Sequence, residues 1–78
     1  MVTLKEKNSN AWLGSISYAQ LQFLINELPE QYKNADEYLV HRETLARLKQ
    51  QGAEVALTNV LEKAMGHKNK VEFYWIKS

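Results

Sequence analysis

The stretch Val71-Glu72-Phe73-Tyr74-Trp75-Ile76-Lys77 puts Val71, Phe73 and Trp75 on one side of an extended chain and Tyr74 and Ile76 on the other. Side chains alternate across a strand with period two, so this strand is apolar on both faces. Such a strand belongs near the centre of a sheet, or half-covered by a partner. The chain has 78 residues in which to supply its neighbours, room for a single domain over residues 1–78. It has no cysteine, which excludes disulfides and thiolate metal sites, so a packed apolar core must hold it together. At 45% apolar and 24% charged residues it is too apolar to stay disordered.

Val2, Leu4 and Glu6 alternate with Thr3, Lys5 and Lys7, which predicts a short half-exposed strand with lysines blunting an edge. Asn8-Ser9-Asn10 is turn chemistry, and Ala11 to Ser17 completes a hairpin. Gly14, in the middle of that strand, marks a bulge or a close backbone approach. Ser17 and Gln20 form a capping-box pattern that starts a helix. Tyr18, Leu21, Leu24, Ile25 and Leu28 make its apolar stripe, and Pro29 stops it.

Residues 30–36 are polar and read as a loop. Tyr38-Leu39-Val40 reads as a strand; the competing helix would start from the Asn34/Glu37 capping pattern. It would put Arg42 and Lys49 on one stripe with Tyr38 and Leu45, which favours the strand. Residues 42–51 predict a second helix with Leu45 and Leu48 buried, a Glu43–Arg47 pair, and Gly52 in the left-handed position after its last turn. Ala53, Leu57, Val60, Leu61 and Ala64 predict a third, ended by Gly66 on the same grounds.

The expected order is β-β-α-β-α-α-β, an α+β domain with a mainly antiparallel sheet packed by helices. The expected core is Leu13, Ile16, Leu21, Leu24, Ile25, Leu28, Leu45, Leu48, Leu57, Leu61, Phe73 and Trp75.

Several stretches, taken together, resemble a family of small uncharacterised bacterial proteins. They are Leu13-Gly14-Ser15-Ile16-Ser17, Gln20-Leu21-Gln22-Phe23-Leu24, Thr44-Leu45, Gly52-Ala53, Ala64-Met65-Gly66 and Val71 to Trp75. The resemblance covers residues 13–75 and rests on core, cap and turn positions. It implies a bacterial single-domain protein and carries over no catalytic residue.

The chemistry-bearing residues are sparse. His41 and His67 lie far apart, with no further ligand at metal-binding spacing, so no metal is expected. No glycine-rich phosphate loop or catalytic triad spacing is present, and the reading is non-enzymatic, without cofactor. Residues 44–65 have the form helix-Gly-helix. Glu54 and Glu62 on the outward face of the second of these helices would repel a DNA backbone, so an αα corner is the better reading. The charged residues at 5–7 forbid a secretory leader, and the expected location is cytoplasmic, without a membrane span.

Two surfaces remain. Phe23 lies off the stripe of the first helix, and Tyr74 with Ile76 occupies the minor face of the last strand; these three are the candidate interface. Lys5, Lys7, Lys68 and Lys70 would gather near Trp12 if the strand ends converge, which would suit single-stranded nucleic acid. Ten basic against nine acidic residues leave a formal charge of +1, too little to draw in a polyanion. The expected function is therefore protein–protein interaction, as a homodimer or accessory subunit, with nucleic-acid binding as the alternative.

Overall fold

The computed structural model describes residues 1–77 and puts the last strand at the centre of the sheet. This strand, β5 (Lys70–Lys77), pairs antiparallel with β1 (Val2–Glu6) on one side and β4 (Glu37–His41) on the other. Next to β1 lies β2 (Trp12–Ile16), and next to β4 the two-residue β3 (Lys33–Asn34). The order across the antiparallel sheet is β2-β1-β5-β4-β3. With three helices, α1 (Tyr18–Glu27), α2 (Arg42–Gln50) and α3 (Val55–Met65), the chain is an α+β fold. Among the described residues no helix is long and apolar enough to cross a membrane.

Helix α1 begins, and α1 and α2 end, for local reasons. Ser17 Oγ accepts from the Gln20 amide at 3.1 Å while Gln20 Oε1 accepts from the Ser17 amide at 2.8 Å, a complete capping box. The Lys33 ammonium donates to the Ile25 carbonyl at 2.6 Å near the other end of α1, where the helix dipole favours a cation. After α2, the Ala53 amide bonds the Leu48 carbonyl and the Gly52 amide bonds the Lys49 carbonyl. That is a Schellman ending, with Gly52 at φ +94°. It takes Ala53 out of the third helix, which starts at Val55.

Tyr38 to Val40 is strand, as the stripe conflict indicated, but the expected loop 30–36 is more structured than its composition suggests. It holds a 3₁₀ turn, Glu30–Tyr32, and then β3, whose two residues pair with Glu37 and Tyr38. Tyr18 leaves the predicted apolar stripe, being half exposed at the first turn of α1. No Glu43–Arg47 ion pair forms within 4.0 Å among the described residues. Lys49 instead meets Glu62 at 2.5 Å and ties α2 to α3.

The core joins one side of the sheet to all three helices. Val2, Leu4, Ile16, Tyr38, Val40, Val71 and Phe73 supply the sheet; Leu21, Leu24, Leu28, Leu45, Leu48, Leu57, Leu61 and Met65 supply the helices and the end of α1. Leu13, Ile25 and Trp75, expected inside, are only partly buried against this cluster. The Tyr38 and Phe73 rings meet edge to face at 5.9 Å, and the Tyr38 hydroxyl accepts from the Trp75 indole at 3.2 Å.

Candidate functional site

Strand register decides which side chains share the uncovered face. Val2, Leu4, Phe73, Val71, Tyr38 and Val40 belong to the core, so their alternates face away from the helices. These alternates are Thr3 and Lys5 on β1, Glu37, Leu39 and His41 on β4, and Lys70, Glu72, Tyr74 and Ile76 on β5. None of them is in the core cluster, and the buried residues of the helices all join the other side. Tyr74 and Ile76 therefore lie on a sheet face that no α-helix covers; the 3₁₀ turn reaches its other end, where Tyr32 packs on His41 and lies beside Leu39 and Glu72. Ile76 is 41% exposed.

Across that face, Lys5 stands opposite Tyr74 on β5 and opposite Trp12 on β2, and Tyr74 stands opposite Glu37. Trp12 is 67% exposed at the sheet's edge, where the β1–β2 register slips by one residue. The Tyr74 hydroxyl donates to Asn10 Oδ1 at 2.8 Å, which ties the face to the β1–β2 turn. Leu39 and Glu72 form the next row, and Thr3 with Ile76 the row on the other side.

The charges on this face are balanced. Lys7 Nζ lies 3.3 Å from Glu37 Oε1 and 3.6 Å from Glu72 Oε2. The hydrogen bond that the Lys7 ammonium donates to Glu37, together with the two carboxylate charges, holds that ammonium above its ordinary pKa. The expected lysine cluster is thus only partly assembled. Lys68 approaches Glu6 at 4.0 Å, and Glu6 is in register with Phe73 on the helix side of the sheet. Lys70 is exposed opposite His41. Lys5 keeps its place between Trp12 and Tyr74.

Phe23 is partly buried and packs against the core, so it is engaged with its own domain. Glu37, Leu39 and Glu72 were not singled out from the sequence. Their signal was the period-two alternation of residues 37–41 and 70–77, which becomes specific only once the pairing of those two strands is known. His41 and His67 are well separated in the chain, and no group of three or more His, Cys, Asp or Glu that could hold a metal occurs among the described residues. Compared with protein-family models, with curated proteins and with solved structures, the chain matches none.

Proposed function

We propose that this chain is a non-catalytic interaction domain that associates with a second copy of itself through the uncovered face of its sheet. One observation carries the reading: all the helices' buried residues lie on one side, leaving Tyr74, Ile76 and Leu39 on the other. An apolar set without a covering layer gains free energy when a partner removes it from water. Both signs of charge, Lys5 and Lys7 with Glu37 and Glu72, sit on the same face. A two-fold axis sets a surface against its own copy, so mixed charges can meet their opposites across it. The formal charge of +1 leaves little repulsion between copies. In this reading the domain works in the cytoplasm without metal or cofactor.

Light scattering after size exclusion tests it. The expected wild-type mass is twice 9.1 kDa at high concentration, and Ile76→Asp returns it to the monomer with an unchanged circular dichroism spectrum. A wild-type protein that stays monomeric at millimolar concentration overturns the reading.

A second reading has its own observation, the Trp12–Lys5–Tyr74 row, which resembles a stacking platform for single-stranded nucleic acid. Glu37 and Glu72 beside it disfavour a phosphate backbone. Binding of a fluorescent oligonucleotide that weakens steeply with salt would select this reading, because counterion release makes such binding salt-dependent.

A further inference from the structure

Helix α2 starts differently from α1. Its N-cap, His41, gives no side-chain hydrogen bond to the helix, whereas Ser17 caps α1. The Arg42 amide is taken by the Asn69 carbonyl at 2.8 Å. The next two amides, Glu43 and Thr44, lie too early in the helix to bond within it, and no acceptor reaches them among the described residues. The Thr44 side chain adds a third donor. Thr44 is 7% exposed, and its hydroxyl has no hydrogen-bond partner among the described residues. No polar side-chain atom among the described residues is both sealed from solvent and unpartnered, so that hydroxyl reaches solvent, and Thr44 lines a cavity at this end of the helix.

The cavity has a volume of about 650 Å³, within the range of small-molecule sites. His41, Arg42, Glu43 and Arg47 line it together with Thr44. Arg42 is fixed at the rim by the carbonyls of Gly66 at 2.9 Å and Lys68 at 2.5 Å. Arg47 has no ion pair among the described residues. His41 is held against Tyr32, with ring centroids 5.0 Å apart. Two arginines against the single acidic residue Glu43 line the cavity, and the positive end of the α2 dipole adds to them.

We propose that this cavity binds the phosphate group of a small phosphorylated molecule. Two amides, one hydroxyl and the Arg47 guanidinium supply more donors than the two oxygens of a carboxylate need. They suit the three terminal oxygens of a phosphate monoester. The volume left beyond the phosphate accommodates the rest of the molecule. The site lies at the start of α2, next to the His41 end of the uncovered face, and its argument does not rest on the self-association proposed above.

Titration of the isotope-labelled full chain with inorganic phosphate, followed by amide NMR at constant ionic strength, tests the site. Saturable shifts centred on the Glu43 and Thr44 amides are expected, absent when chloride replaces phosphate. Thr44→Val should weaken phosphate binding about ten-fold by removing one hydrogen bond to a charged group. Thr44→Ser, which keeps the hydroxyl, should restore it, and Arg47→Gln should weaken it. Shifts scattered over the surface lysines, no saturation, or equal affinity in Thr44→Val would overturn the site. Acetate binding as tight as phosphate would overturn the phosphate assignment.

Discussion

Gly14 on β2 lies directly beneath Val60 on α3: a Cβ at Gly14 would stand 2.9 Å from Val60 Cγ1. The close approach lets α3 settle on the edge of the sheet. Gly14 also has φ +150°, where L side chains are rare. Gly14→Ala should therefore destabilise by about 1–3 kcal/mol in a urea melt, from overpacking and backbone strain together. Adding Val60→Ala removes the contact but not the strain, so the double variant should regain only part of the loss. Full recovery would show that the backbone at Gly14 costs nothing.

Gly66 separates those two causes. It has φ +57° and ψ −120°, and a Cβ there would meet nothing within 4 Å. This is a positive-φ conformation, though not the left-handed helical one that the sequence pattern suggested. Gly66→Ala should be destabilised by backbone strain alone, by about 1–2 kcal/mol. A stabilised variant would mean that α3 runs beyond Met65.

Ala35 points the other way. It joins β3 to β4 with φ +55°, a value uncommon for a residue with a side chain. Ala35→Gly should gain about 0.5 kcal/mol, the relief of strain exceeding the extra freedom that glycine gives the unfolded chain. A higher urea midpoint at unchanged slope is the expected signature.

Lys7 predicts a pH dependence. Its folded-state pKa lies above the ordinary 10.5, so its pairing with Glu37 and Glu72 stabilises the fold at lower pH. That contribution is fully present below 10.5 and is lost as the pH rises through the higher folded value. The stability difference between wild type and Lys7→Gln should thus be constant from neutral pH to about 9 and vanish in strong alkali, with added salt shrinking it throughout. A difference that persists in strong alkali would assign the effect to packing of the Lys7 stem.

What could be read from the residues was what local chemistry controls. The Ser17–Gln20 box, the Gly52 ending and the central place of Val71 to Lys77 each follow from a few neighbouring side chains. Residues 30–36 carry a 3₁₀ turn and a strand that their composition does not announce, because two paired residues carry no periodic signal. Val2, Leu4, Val40 and Val71 are buried although the expected core does not include them. Their burial depends on helices that arrive from elsewhere in the chain. The surface was legible in part: the two apolar sides of the last strand implied that Tyr74 and Ile76 would need explaining. The pairing of Lys7 with Glu37, thirty positions away, depends on tertiary register, and the residues around α2's first turn come from three separate segments.

The central strand follows both hairpins in chain order. β1 and β2 form one hairpin, β3 and β4 another, and β5 alone hydrogen-bonds to both. Until residues 70–77 are in place, each hairpin keeps a raw edge and half the core has no floor. Assembly is therefore governed by long loop closures, which slow folding relative to a chain of local contacts.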